Sequence, residues 1–258
     1  MVLKNKVKTV DTLRFKFESS ILYTMSEIIS IIPARGGSKG VPGKNVKNLD
    51  GTPLLAFSIK TSLESKIISR TIVSTDCEEI AKIAKKYGAE VPFLRPKAIA
   101  GDKSTDLEFF LHAIDWFKTN ETKVPDYFVH LRPTTPLRDA KIVDQAIEMF
   151  LKSADSTALR SVHEMAESAY KSFEIEDNKL KTLGTNSFEL DSANNARQGF
   201  PSTYYANGYV DIIRSKYVIE NRRIHGDKVM PFITKPIIEV DTFEDFEILE
   251  FQISKIKN

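Results

Sequence analysis

The chain of 258 residues is predicted to fold as an α/β protein, a mostly parallel sheet flanked by helices with a small antiparallel insertion. Three observations carry that prediction. Between residues 28 and 150, short apolar runs rich in Ile and Val alternate with helical patterns, as parallel strands joined by crossover helices do. Loops of unusual chemistry follow directly after three of those strands. From about residue 157 to 205 the alternation breaks, and apolar runs then resume.

Ile28–Pro33 is a short apolar run, expected as a buried strand. Pro53–Glu64 reads as a helix with proline at its opening. Arg70–Thr75 is β-branched and runs into Asp76. Glu78–Tyr87 sets Ile80, Ile83, Ala84 and Tyr87 at i, i+3, i+4 and i+7, with Gly88 as the C-terminal stop. Leu107–Phe117 repeats the spacing at Leu107, Phe110, Leu111 and Ile114, behind a Thr105/Glu108 capping box. Tyr127–Leu131 is the next strand. Lys141–Phe150 is a helix that turns Ile142, Val143, Ala146, Ile147 and Phe150 inward. Within 157–205, Ala158–Val162 and Lys171–Ile175 suggest an antiparallel excursion of the sort that serves dimerisation. Tyr209–Ile213 and Ile237–Val240 are expected to rejoin the core, and Phe243–Ile256 to close it as an amphipathic helix.

Composition narrows the class. Hydrophobic residues at 41% and charged residues at 28% suit a soluble globular protein. The formal charge of +2 is misleading in its location: Lys4, Lys6, Lys8, Arg14 and Lys16 against Asp11 and Glu18 give the first 24 residues +3, leaving the remainder at −1. A near-neutral body without a basic aromatic stripe argues against nucleic-acid binding. The single cysteine, Cys77, excludes an internal disulfide and fits a reducing compartment. No stretch approaches the roughly 20 apolar residues that span a bilayer, and the N-terminus lacks an apolar signal core, so a cytoplasmic location is expected. Residues 1–24 lack caps and periodicity and precede Met25-Ser26-Glu27. They read as an extension or a misassigned start, ahead of a domain over 25–258.

The loop after the first strand carries the strongest chemical signal. Arg35, Lys39 and Lys44 are spaced by glycines, whose backbone can turn its N–H groups inward around an anion. That is how a polyphosphate is held, although a plain surface turn with solvated lysines is the alternative. The loop is not a Walker A, because Ser38 and Asn45 stand where that motif needs Gly and Ser or Thr. The dinucleotide fingerprint is also absent. Further along, Ser74-Thr75-Asp76 sits at a strand end, where Asp76 is either a nucleotide contact or a helix cap. Arg95, between Leu94 and Pro96 and followed by Gly101-Asp102, is either a surface charge or a contact to base or phosphate. Arg132 and Arg138 bracket a turn stiffened by Pro133 and Pro136, which suits substrate recognition, with plain turn chemistry the alternative. Glu239 and Asp241, at i and i+2 of an expected strand, share a face, and such a pair suits Mg²⁺. Asp241 could instead cap the following helix. The four histidines, at 112, 130, 163 and 225, show no zinc spacing.

In combination these motifs resemble the CMP-sialic acid synthetase family, the cytidylyltransferases acting on nonulosonic acids. The resemblance runs from Ile28 to the C-terminal helix. It rests on I-P-A-R-x-x-S-K-G-x-P-x-K-N at 32–45, V-S-T-D at 73–76, L-R-P at 94–96 with Gly101-Asp102, L-x-P-T-x-P-L-R at 131–138, Arg197-Gln198, Asn207-Gly208 and the acidic pair near 240. It implies a Rossmann-like nucleotidyltransferase fold, a homodimer and a Mg²⁺-dependent reaction. In that reaction CTP and a 2-keto-3-deoxy nine-carbon sugar acid give the CMP-sugar and pyrophosphate.

The resemblance also implies roles. Arg35, Lys39 and Lys44 would hold the triphosphate and act in catalysis, with Ala34, Gly36, Ser38, Asn45, Ser74, Asp76 and Arg95 completing the nucleotide site. Arg132, Thr134, Arg138, Arg197, Gln198, Tyr205 and Asn207 would serve the sugar, with Arg197 a candidate to complete a neighbouring subunit's site, and Glu239 and Asp241 would hold the metal. Three departures stand out: Glu239 where Asp is usual, Arg132 where Gln is usual, and Tyr205 where some members carry Arg. Arg132 is accordingly expected to offset the missing cation and tune the pocket to legionaminic or pseudaminic acid. An eight-carbon acid is disfavoured by the loop, which lacks Ser-Thr-Arg-Leu-Pro. Guanylyl transfer and a non-catalytic binding protein of the same fold are the alternatives.

Overall fold

The run Ile28–Pro33 forms strand β1 deep in the main sheet, and its composition explains why. Ile28 and Ile32 pack into one core and Ile29 and Ile31 into the other, all fully or almost fully buried, so both faces of the strand are covered by helices. This computed structural model describes residues 26–257, and the extension expected over 1–24 lies outside the described residues.

After β1 come a two-strand ribbon, β2 (Asn48–Leu49) and β3 (Thr52–Pro53), then α1 (Leu54–Glu64), β4 (Arg70–Ser74) and α2 (Glu78–Lys86). Next are α3 (Asp106–Asn120), β5 (Tyr127–His130), α4 (Ala140–Leu151) and β6 (Ala158–Glu164). The chain continues through β7 (Phe173–Glu176), β8 (Lys179–Thr182), β9 (Tyr204–Arg214), α5 (Ser215–Asn221), β10 (Val229–Ile233) and α6 (Phe243–Lys257). The main sheet has the order β10-β6-β9-β5-β1-β4. Only β9 runs against the rest.

Helices α1, α2 and α4 cover one face of the sheet, α3 and α5 the other. Helix α6 packs Phe246, Leu249 and Ile253 on Val41, Leu49, Leu54 and Val240, at the end of the sheet where the glycine-rich loop emerges. The buried polar side chains near β1 are satisfied in a relay: Ser30 Oγ to Ser62 Oγ at 2.6 Å and Ser62 Oγ to Thr71 Oγ1 at 2.7 Å.

Three elements differ from the sequence expectation. Ala158–Val162 belongs to β6 in the main sheet rather than to the excursion, because Ala158 and Leu159 are fully buried against β9 and the helices. The excursion therefore spans 165–203 and carries the β7–β8 hairpin. Ile237–Val240 is not a strand: it runs extended along the Thr134 turn, docked by Val240 N–H donating to Thr134 O at 2.8 Å. Its apparent place is taken by β10, a strand containing Pro231 that is tolerated because it lies at the sheet edge.

Candidate active site

The carboxyl ends of β1, β4 and β5 converge on one cleft of about 320 Å³, where open α/β sheets place their ligands. Arg35, Ser38, Lys44, Asn45, Arg95, Arg132 and Thr134 all line it. Residues far apart in sequence are brought together because parallel strands deliver their following loops to the same end of the sheet.

The loop after β1 is shaped by its neighbours. Ala34 N–H donates to Ser74 O at 2.9 Å and Gly36 N–H to Asp76 Oδ1 at 2.8 Å. Asn45 Nδ2 donates to Arg35 O at 2.9 Å, closing the loop on itself. Asp76 thus anchors the loop and leaves the N-cap of α2 to Cys77. Arg35 Nη1 lies 2.9 Å from Asp102 Oδ1, and Lys39 Nζ 2.8 Å from Asp102 Oδ2. Lys44 points the other way, donating to Val240 O at 2.7 Å and lying 3.3 Å from Asp241 Oδ1. Gly40 makes that junction possible: a Cβ there would sit 2.4 Å from Asp241 O.

Arg95 forms the cleft's buried wall. Its Nη2 donates to Ser74 O at 2.6 Å and its Nε to Ser74 Oγ at 3.1 Å, and the guanidinium lies 5.0 Å from the Phe109 ring centre. Burial lowers its pKa to about 10, so it is charged at neutral pH.

Arg132 is not the spare cation that the sequence suggested. Its Nη1 donates to Asp211 Oδ2 and its Nη2 to Asp106 Oδ2, both at 2.8 Å. Two carboxylates therefore cancel its charge where one would suffice. Burial alone would raise the Asp211 carboxyl; His225, 3.8 Å away, and the Arg132 guanidinium hold it well below the usual range. Burial likewise opposes ionisation of Asp106, and His130 and Arg132 outweigh it. Because burial drops His130 to about 3, that ring is uncharged at neutral pH, and the Arg132 pair is the effective cause.

The remaining expected sugar-site residues divide. Arg138 is half-buried and Asn207 buried, both outside the lining of the cleft. Arg138 donates to the carbonyls of Arg132 at 2.7 Å and Gly208 at 2.9 Å, to those of Thr135 and Tyr209, and to Ser58 Oγ. Asn207 Nδ2 donates to Thr234 Oγ1 at 2.6 Å. Arg138 ties the proline turn to β9, Asn207 ties β9 to the segment after β10, and neither lines the cleft. Arg197 and Gln198 line a separate hollow with Glu164, to which Arg197 donates at 3.0 Å. Tyr205, 61% exposed, stands near the start of β9 beside His163.

Glu239 and Asp241 sit on the extended segment held by Lys44. Thr242, not Asp241, caps α6, exchanging hydrogen bonds with Asp245. The Asp241 side chain is 79% exposed. Glu239 Oε2 and Thr135 Oγ1, a buried hydroxyl without a hydrogen-bond partner among the described residues, both lie 3.2 Å from where a Cβ on Gly208 would stand, and Gly208 has φ +61°. Burial, and Asp241 after it, raise the Glu239 carboxyl above its ordinary range. Two carboxylates and a hydroxyl are hard oxygen donors of the kind Mg²⁺ takes. Among the described residues no group of three or more His, Cys, Asp or Glu could hold a metal by itself.

Sequence reasoning passed over Asp106, Phe109 and Asp211. Asp211 carried a signal, a lone acid inside the otherwise apolar Tyr209–Ile213. Asp106 was hidden in the polar first turn of α3, where acids are ordinary.

A mostly parallel sheet with a cation-bearing glycine loop at its strand ends is the architecture of a nucleotidyltransferase. Comparison narrows the class: the cytidylyltransferase family matches residues 29–205, and the chain belongs to that family. It is 31% identical to post-translational flagellin modification protein B of Campylobacter coli, over 90% of this chain and 97% of that one. It is 30% identical to the CMP-N,N'-diacetyllegionaminic acid synthase of Legionella pneumophila, over 86% and 94%. The fold also matches a solved CMP:2-keto-3-deoxy-manno-octonic acid synthetase complexed with CTP, with a TM-score of 0.64 and 14% identity, over 90% of this chain and all of that one.

Proposed function

We propose that this chain transfers CMP from CTP to the anomeric hydroxyl of a nonulosonic acid, releasing pyrophosphate. The observation that carries the reading is the cleft itself: in a chain of the cytidylyltransferase family, Arg35 and Lys44 of the glycine loop meet Arg95, Arg132 and Thr134 in one pocket. The hydroxyl oxygen bonds to the α-phosphorus, the bond from that phosphorus to the bridging oxygen breaks, and the hydroxyl proton is released. Such a transfer needs alignment and charge neutralisation more than covalent help from the protein.

Arg35 and Lys39 neutralise the triphosphate from one side and Lys44 from the other. Asn45, Ala34, Gly36 and Asp76 hold the loop in shape, and Ser38 lines it. Ser74 orients Arg95, whose guanidinium and the neighbouring Phe109 ring form a flat wall beside the nucleotide. Arg132, its charge already balanced, offers the sugar its unused N–H groups rather than net charge. Glu239 and Asp241 would hold Mg²⁺, which when bound spreads the negative charge of the phosphates. The relatives favour CMP transfer over guanylyl transfer or a non-catalytic role, and the legionaminic acid synthase among them makes a legionaminic-type acid the first substrate to try. The β7–β8 excursion exposes Ile175 (76%), Leu180, Leu183 and Phe188, which supports pairing with a second copy there.

The test is pyrophosphate release with Mg²⁺, crossing CTP, GTP, ATP and UTP with N-acetylneuraminic, legionaminic, pseudaminic and eight-carbon acids. Release with CTP and one nine-carbon acid is expected. Release only with GTP, or none from folded protein, would sink the reading.

A further inference from the structure

Asp102 stands among the cations of the glycine-rich loop. It is carried on the exposed turn Gly101–Ser104, which is closed by its own bonds: Ser104 N–H donates to Gly101 O at 3.1 Å and Gly101 N–H to Ser104 Oγ at 3.0 Å. From that turn its two carboxylate oxygens reach separately to Arg35 at 2.9 Å and Lys39 at 2.8 Å. These are two of the three cations on the glycine loop. A carboxylate with one oxygen on each cation imitates two oxygens of a phosphate.

We propose that Asp102 is a positioning residue that occupies the polyphosphate site from within. It holds Arg35 and Lys39 when no nucleotide is bound, and it leaves with its turn when a triphosphate enters. This rests on the reading of the Arg35–Asn45 loop as the polyphosphate site. Two neighbouring cations repel each other without a counter-charge, so the carboxylate keeps both aimed at the cleft. The side chains of Arg35, Asp102 and Lys39 are 33%, 41% and 80% exposed. Such water-exposed pairs are weak individually, and a polyphosphate bringing several negative charges outcompetes a single carboxylate. The same competition acts on the product: Asp102 returning to the cations helps to expel pyrophosphate.

The experiment is calorimetric titration of inorganic tripolyphosphate and of CTP into the full chain without divalent metal, using wild type, Asp102→Asn, Asp102→Ser and Asp102→Glu, each checked for folding by circular dichroism. Both neutral variants should bind tripolyphosphate roughly three- to tenfold tighter, the gain expected when a weak exposed competitor is removed. Asp102→Glu, which keeps the charge, should stay close to wild type. In turnover, Asp102→Asn should lower the KM for CTP and also lower kcat, with stronger inhibition by pyrophosphate. If wild type binds and the neutral variants bind equally or more weakly, the proposal is wrong and the site reading stands. If no variant binds either ligand, the site reading fails and the proposal with it.

Discussion

Replacing Arg138 by methionine separates a scaffold role from a substrate role at a position the sequence assigned to the sugar. Methionine keeps the aliphatic reach of the side chain, so the change chiefly removes the donors. The carbonyl of Arg132 retains other donors, Thr135 N–H at 3.2 Å and Ser58 Oγ at 3.3 Å. The carbonyls of Thr135, Gly208 and Tyr209 lose theirs from the guanidinium. An unpaired buried polar group costs about 1–3 kcal/mol. With partial relaxation, and with relief from burying a charge, the net loss should be about 3–5 kcal/mol. That is a large share of the ~5–15 kcal/mol by which domains are stable. Burial lowers the Arg138 pKa to about 9, so the charge is present at neutral pH and the comparison is with a charged donor. Urea unfolding followed by fluorescence is the assay, and the midpoint should fall by about 1–2 M at an unchanged slope. The KM for the sugar acid of the folded variant should change little. A variant with the wild-type midpoint and a collapsed kcat/KM would refute this reasoning and return Arg138 to the substrate.

Three further outcomes are expected. Gly40→Ala should leave the fold intact yet raise the Mg²⁺ concentration for half-maximal activity, because the added Cβ would meet Asp241 O at 2.4 Å and push the 239–241 segment away; an unchanged Mg²⁺ profile would count against that segment as the metal site. Lys44→Ala should cut kcat/KM about 10²–10³-fold, as loss of one preorganised charge stabiliser does, and full turnover would remove Lys44 from the site. Burial depresses the folded pKa of His130 from 6.5 to about 3, so below pH 6.5 the unfolded chain takes up a proton that the fold refuses. The stability from the neutral ring is complete above that pH and lost as pH falls toward 3, at up to about 1.4 kcal/mol per pH unit. Urea midpoints of His130→Leu should therefore be flatter than wild type between pH 6.5 and 4, and parallel curves would show that His130 is not the titrating group. Asp106 and Asp211, which face it, ordinarily titrate only near pH 4 and below.

What the chain declares by itself is what local rules govern. The all-apolar β1, the i, i+3, i+4, i+7 stripe of α2 and the Thr105/Glu108 box at α3 are each decided within a few residues, and each element formed close to where its pattern placed it. The glycine spacing of Arg35, Lys39 and Lys44 likewise marked the loop, since backbone freedom and charge are written directly in residue type. Side-chain partnership was not legible. Arg132 and Arg138 flank one turn and look equivalent in sequence, yet one meets Asp106 and Asp211 at the cleft while the other is absorbed by backbone carbonyls. Their fates depend on β9, which pairs with β5 some 80 residues away in sequence. Ile237–Val240 had the composition of a strand, but the edge was taken by Val229–Ile233, leaving the acidic pair on a segment fixed by Lys44. The tertiary structure decided which charges are spent on each other and which face the cleft, because an ion pair depends on distance in space and local sequence encodes only distance along the chain.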